Sequence, residues 1–302
     1  MEYGALPTER VNPRTRRLDR MTALQLVRAI NREDARVAVA VARVQGPLAR
    51  AVERVAGALR GGGRLVYVGA GTSGRLGALD AAECPPTFGT HPGRVVAIIA
   101  GGPRALRRAI EGAEDRRREA ARALAGLRVG PRDVVCAICA SGVTPFALAA
   151  LEAARRRGAA TLAVTCAPSP RLRTLADIVI APRVGPEVLA GSTRMKAGLA
   201  TKMVLHTLTT AAMVRLGKVY GNLMVDLRPA SAKLRARAVR IVAALAGLPR
   251  ARAGRLLRRA GGRPPVALLM HHLGLPRRQA EARLAAAGGD FRAVIGEVGR
   301  GG

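Results

Sequence analysis

The 302-residue chain has no tryptophan and only three tyrosines and three phenylalanines. Its core must therefore be built from Ala, Val, Leu and Ile, and the aromatic platforms on which single-stranded nucleic acids stack are missing. Acids are scarce as well: 20 Asp and Glu face 51 Lys and Arg, a formal net charge of +31. Such a surplus invites a nucleic-acid reading, because clustered cations release counterions from phosphate. Its make-up argues against one. Only four of the cations are lysine (Lys196, Lys202, Lys218, Lys233); the other 47 are arginines spread over the whole chain, as a codon bias would leave them. No zinc-finger, RNA-recognition or basic-zipper pattern accompanies them, so no nucleic-acid partner is expected. No apolar run approaches the ~18 residues needed to span a bilayer, and MEYGALPTERVNPRTRR lacks the apolar stretch of a signal peptide. A cytoplasmic protein with no membrane partner is expected.

Cysteine and histidine are equally sparse, with four of each. Cys136 and Cys139 form a CxxC, but it lies inside the strand-like run DVVCAICASG. No second CxxC or nearby His completes a tetrahedral set. Buried thiols, no metal and no disulfide are the expectation.

The length suggests one large domain with a small appendage. Residues 22–60 read as amphipathic helices, with Thr22 a plausible N-cap. After the breaker Gly61-Gly62-Gly63, apolar strands at 64–69, 94–100, 133–140, 161–166 and 177–182 alternate with helical patterns. That alternation predicts an α/β fold with a parallel sheet covered by helices on both faces. Helical stretches follow near 191–215 and 228–246, then three short helical patterns. The expected division is an N-terminal helical segment (1–60), a sheet domain with its long helices (61–246) and a small C-terminal helical domain (247–302). The helix from Ala197 to Leu216 is apolar on most faces, which predicts burial within the domain or against another subunit.

Two loops carry the chemistry. Gly69-Ala70-Gly71-Thr72-Ser73-Gly74 is GxGxxG, yet the second strand ends Ile99-Ala100-Gly101-Gly102, without the acid that binds a dinucleotide's ribose. What remains is a phosphate cradle: glycines for close approach, two hydroxyls and a helix N-terminus. The third strand runs into Ala140-Ser141-Gly142-Val143-Thr144-Pro145, a second turn of that kind, and both fall where an open parallel sheet binds ligands. A sugar phosphate fits better than a nucleotide. Helix capping alone is the competing explanation for Ser141 and Thr144. Glu83, with apolar neighbours and Pro85-Pro86 after it, is placed to keep its proton by desolvation. Glu114 lies at a helix boundary. An acid and a base from different loops suffice to remove a proton next to a carbonyl and expel a leaving group. A macrodipole role for Glu114 and an arginine partner for Glu83 are the alternatives.

The stretches GAGTSGRLGALDAAECPPTFG, EGAEDR, the ASGxTP loop and the run from EVLAGSTRMKAG to LRARA together resemble the N-acetylmuramic acid 6-phosphate etherase family, over roughly residues 7–245 in order and spacing. The resemblance implies a sugar-isomerase (SIS) fold, a flavodoxin-like sandwich. It also implies a cofactor-free lyase that splits the lactyl ether of N-acetylmuramic acid 6-phosphate into N-acetylglucosamine 6-phosphate and D-lactate, in cell-wall sugar recycling. By the same resemblance Glu114 is the base at carbon 2 and Glu83 the acid for departing lactate. Thr72, Ser73, Ser141, Gly142 and Thr144 then hold the sugar phosphate, the segment from Glu187 to Lys196 lies near the site with Glu187, Ser192 and Arg194 as its candidate residues, and the protein is a homodimer. Two positions depart from the usual pattern: Val143 replaces the Arg of ASGRTP, and Ala167 the Asn of CNP. A non-catalytic sugar-phosphate sensor, as in the longer, duplicated glucokinase regulatory proteins, and an aldose-ketose phosphate isomerase are the other readings.

Overall fold

The computed structural model describes residue 4 and residues 6–296. Two helices open the chain after a turn-rich start, α1 (Ala23–Ala42) and α2 (Gln45–Arg60). The expected cap of α1 is a full capping box: Gln25 N donates to Thr22 Oγ1 and Thr22 N to Gln25 Oε1. Strands and helices then alternate: β1 (Leu65–Gly69), α3 (Gly71–Phe88), β2 (Val95–Ile99), α4 (Arg117–Gly126), β3 (Val134–Ile138), α5 (Pro145–Arg156), β4 (Ala160–Val164), α6 (Pro170–Leu175) and β5 (Ile178–Ile180). All five strands are parallel, in the order β2-β1-β3-β4-β5. The chain first adds β2 on one side of β1 and then β3 on the other, so the topology switches between β1 and β3.

The expected two-sided burial is observed. Every residue of β1 and β3 is buried. Val66, Val68 and Val135 share one cluster with Ala120 and Leu124 of α4 and Phe146, Ala150 and Ala154 of α5. On the other face, a Cβ added at Gly77 of α3 would lie 3.0 Å from Tyr67 Cβ and 3.1 Å from Ile138 Cδ1, so a glycine lets α3 close on the sheet. Apart from Tyr67 and Phe146, the layer is built from small and aliphatic side chains.

The rest is helical: α7 (Lys196–Arg215), α8 (Ala232–Ala246), α9 (Arg250–Arg259), α10 (Pro264–His272), α11 (Arg277–Ala286) and α12 (Phe291–Ile295). Among the described residues four short helices thus follow α8, where the sequence patterns predict three. The chain forms two compact units, one up to Ala81 with Gly93–Thr209, the other Ala82–Pro92 with everything from Thr210 on. The second unit has its own core, in which Ala238, Ile241 and Val242 of α8 pack with Leu257, Leu268, Leu284 and Phe291. Most of α7 is buried as expected (Ala200, Val204, Leu205, Leu208, Met213), but Leu199 and Val214 are exposed. Among the described residues no helix is long and apolar enough to cross a membrane.

Candidate functional site

The first unit holds the site. At the end of β1 the glycines do steric work: a Cβ at Gly69 would lie 2.8 Å from Gly74 N, and one at Gly74 2.6 Å from Ile99 Cγ1. Only glycine lets the helix start directly on the strand end, which sets Thr72 and Ser73 in the first turn of α3, where backbone N–H groups lack helical partners. A Cβ at Gly198 would touch Thr72 Cγ2 at 3.5 Å, so the first turn of α7 packs on the methyl group of that threonine.

The turn after β3 is held by its own polar atoms. Cys139 Sγ accepts from Thr144 N at 3.3 Å, and Ser141 Oγ accepts from Val143 N at 3.4 Å. Ser169 Oγ donates to Gly142 O at 2.6 Å. Gly142 has a φ of +74°, and a Cβ there would lie 1.9 Å from Ala167 O. Pro145 opens α5 as expected, but Thr144 at the N-cap position makes no side-chain capping bond. Its hydroxyl is therefore not used up by the helix, which disposes of capping as the explanation of that residue. All four cysteines are free and buried, and burial pushes the Cys166 thiol up to about 12. Cys139 serves the turn, and among the described residues no three His, Cys, Asp or Glu gather as a metal site.

Both turns open into one cavity of about 520 Å³ at the carboxyl ends of β1 and β3, the switch point at which open α/β sheets take ligands. Thr72, Ser73, Ser141, Val143 and Thr144 line it together with Glu114. Glu114 is exposed on a short 3-10 turn, Ala113–Asp115, which Gly112 enters with a φ of +66°. Gly191 and Thr193, from the segment expected near the site, also line it, as does Asp115 beside Glu114; sequence reasoning missed Leu6 and Glu9 from the N-terminal stretch. The polar run Pro7-Thr8-Glu9-Arg10 ahead of the first helix was the only signal for Glu9. Leu6 and Val143 also line a second cavity of about 600 Å³, and Ala167 lies in its wall, so both departures from the family's loop pattern meet there.

The other expected residues take different places. Gly142 shapes its turn without lining the cavity, and half-buried Ser192 sits between the lining Gly191 and Thr193. Arg194 is exposed and is not among the lining residues. Glu83, in the second unit, is exposed on the last turns of α3, so the apolar enclosure expected for it is absent from the single chain. Leu79, Ala82, Glu83 and Pro86 are all exposed at i, i+3, i+4, i+7 spacing, a largely apolar stripe with one carboxylate in it.

Glu187 is buried behind the cavity wall, where its two oxygens accept from Lys196 N and Ala197 N, each at 2.9 Å, at the start of α7. Burial holds its carboxyl above the usual carboxylate range, with the two amides opposing. Lys196, the end of the segment expected near the site, turns into the interior: its Nζ is 2.6 Å from Glu33 Oε2. Asn12 Nδ2 donates to that oxygen at 2.9 Å, and Arg14 adds two further bonds to Glu33. The hydrogen bond from Arg14, helped by Lys196 and Asn12, draws the Glu33 carboxyl down to about 2. Thr15 Oγ1 donates to Val188 O at 2.8 Å and Gly191 N to Thr8 O at 3.1 Å. The N-terminal stretch, α1 and the segment before α7 are thus sewn together around two of the cavity's walls.

Comparison with known proteins bears on the fold and the family. Residues 47–155 match the glucokinase regulatory protein N-terminal SIS domain, and residues 119–211 the SIS domain. A phosphoheptose isomerase from Neisseria gonorrhoeae superposes with a TM-score of 0.50 at 18% identity, over 63% of this chain and 98% of its own, which shows a shared fold. Three proteins named N-acetylmuramic acid 6-phosphate etherase are far more similar. That of Gloeobacter violaceus is 53% identical over 95% of this chain and 94% of its own. That of Rubrobacter xylanophilus is 52% identical over 97% of each, and that of Rippkaea orientalis 50% identical over 97% and 96%. With half of its residues shared along nearly the whole length, the chain belongs to the N-acetylmuramic acid 6-phosphate etherase family.

Proposed function

We propose that this protein is a lyase that splits N-acetylmuramic acid 6-phosphate into N-acetylglucosamine 6-phosphate and D-lactate, in cytoplasmic recycling of cell-wall amino sugars. The observation that carries the reading is the convergence of Glu114 and the hydroxyls of two strand-end turns on one cavity at the switch point, in a chain of this family.

The phosphate lies against Thr72, Ser73, Ser141 and Thr144, whose hydroxyls and nearby amides suit a dianion. In the open-chain sugar the aldehyde acidifies the carbon-2 proton, and the Glu114 carboxylate removes it. The electron pair forms the carbon-2 to carbon-3 double bond as the carbon-3 to oxygen bond breaks, and Glu83 gives its proton to the departing lactate oxygen. Water then adds, hydroxyl to carbon 3 and proton to carbon 2. An exposed Glu83 does not suit an acid that must be shielded from water. The stripe of Leu79, Ala82 and Pro86 around it supports packing of this helix face against a second copy, so the working form is a homodimer. No nucleic-acid partner enters the scheme.

The test is D-lactate release from N-acetylmuramic acid 6-phosphate by the purified protein, with deuterium at carbon 2 of the product when the reaction runs in heavy water. Release without deuterium would overturn the elimination mechanism. Binding of the sugar phosphate without release would favour the sensor reading.

A further inference from the structure

The proposed substrate carries two anions, a phosphate and the carboxylate of its lactyl group. The cavity at the switch point is suited to only one of them. Among the described residues three carboxylates line it, Glu9, Glu114 and Asp115, and no lysine or arginine does, in a chain with 51 such residues. Amides and hydroxyls can hold the phosphate there, but a second anion set among three carboxylates meets like charge with no counterion.

The neighbouring cavity has the opposite character. Its volume is about 600 Å³, its charged lining residues are Arg10 and Arg183, and among the described residues no acid lines it. Both arginines are exposed, and neither makes an ion pair among the described residues. The rest of the lining is mixed: Pro7, Ala167 and Pro168 are apolar, and Thr8 and Ser169 add hydroxyls. Leu6 and Val143 line both cavities, so the two spaces meet across these side chains. The far wall is fixed to the phosphate turn: Cys166 N donates to Ala140 O at 3.1 Å and Ser169 Oγ to Gly142 O at 2.6 Å. A ligand spanning the rim would meet two loops held in register with one another.

We propose that the second cavity is the carboxylate subsite: the lactyl arm crosses the rim formed by Leu6 and Val143, its methyl group rests on these side chains, and its carboxylate pairs with Arg10 and Arg183. The inference rests on the substrate proposed above. It assigns to two exposed arginines the discrimination between a sugar phosphate that carries the acid and one that does not. It also accounts for release of the sugar product, which has lost the group that the arginines hold.

The test is calorimetric titration of the full chain with N-acetylmuramic acid 6-phosphate and with N-acetylglucosamine 6-phosphate. A Glu114→Gln background prevents turnover, and the titrations are made with and without Arg10→Ala and Arg183→Ala together. The expected result is a rise of about tenfold or more in Kd for the carboxylate-bearing sugar, with Kd for the other sugar within about twofold. Lysine at both positions should restore part of the lost affinity. The second sugar also reports whether the variant is folded. Equal weakening of both sugars, or no change in either, overturns the subsite. Lactate release by the unmodified protein is scored separately. A differential loss without any release would retain the subsite and reject the etherase reading; release with no differential would do the reverse.

Discussion

Lys196 and Glu33 form an ion pair of 2.6 Å between two side chains that are 0% and 2% exposed, joining the start of α7 to the middle of α1. A pair taken this far out of water is costly to break, because the remaining charge stays buried without its partner. Arg14 and Asn12 would still solvate Glu33 if the lysine were lost. Lys196→Met should therefore lower stability by about 3 kcal/mol, at the low end for a broken buried pair, read as a shift in urea midpoint at constant slope. The same variant should raise KM for the sugar phosphate, since Gly191 and Thr193 lie just ahead of this anchor. A loss below about 1 kcal/mol, the range of an exposed pair, would contradict it.

The pH dependence of stability follows from Glu33. Its carboxyl is held near 2, against an ordinary 4.5, by Arg14 first and then Lys196 and Asn12. A depressed carboxyl contributes stability that is fully present above the ordinary value and is lost as pH falls through the folded one. The window is therefore about pH 4.5 down to about 2, and the contribution is on the order of 3 kcal/mol. Asp80 and Glu187, raised by burial, act in the opposite sense. Urea titrations of the wild type and Glu33→Gln from pH 6 to about pH 2 should show a steeper fall for the wild type, with the two curves converging at the acid end. Parallel curves would remove Glu33 as the source.

The parallel sheet and its two loops were legible because they rest on local chemistry. Strand runs bounded by glycine, a proline at the start of α5 and hydroxyls at strand ends all announce themselves within a few residues. What was not legible is long-range. Glu33 and Lys196 are 163 positions apart, and Glu187 reads as a candidate ligand residue until its carboxylate is seen capping α7. One signal was overlooked. In a chain that uses arginine for 47 of its 51 cations, each lysine is a rarity to be inspected, and Lys196 is the fully buried one. The surroundings of Glu83 differ from expectation for a related reason: apolar neighbours in sequence are not neighbours in space, and on a helix they form an exposed stripe instead of a pocket.

Substitution of the two glutamates should separate the steps. Glu114→Gln should abolish both lactate release and carbon-2 exchange with solvent deuterium, because no base remains to start the elimination. Glu83→Gln should slow ether cleavage by 10²–10⁴-fold, the usual contribution of a positioned acid, while exchange persists. Retained exchange in the first variant would exclude Glu114 as the base, and equal loss of both signals in the second would argue against Glu83 as the acid. Leu79→Asp, placed one turn before Glu83 on the exposed stripe, should yield a monomer by light scattering.

The hydroxyls that hold the phosphate do so before and during the reaction, so their loss should appear in KM more than in kcat. Ser73→Ala and Thr144→Ala are the informative variants. Thr144 is the sharper, because its side chain makes no capping bond and its removal should leave the stability of α5 unchanged. A drop in Tm with unaltered KM would return both residues to a purely structural role.

Gly142→Ala tests whether the second turn must keep its shape. The residue has a φ of +74°, and the added Cβ would lie 1.9 Å from the carbonyl oxygen of Ala167, a backbone atom that cannot rotate aside. Alanine in the left-handed region costs about 1 kcal/mol by itself, but the overlap forces the two loops apart. The hydrogen bond from Ser169 to Gly142 O and the acceptance of Val143 N by Ser141 both depend on that closure. The variant should therefore lose affinity for every sugar phosphate by far more than Ser141→Ala, while the far-ultraviolet spectrum of the helices persists. An alanine variant with wild-type affinity would mean that the turn is not a formed cradle, and the placement of the phosphate would have to move toward Thr72 and Ser73.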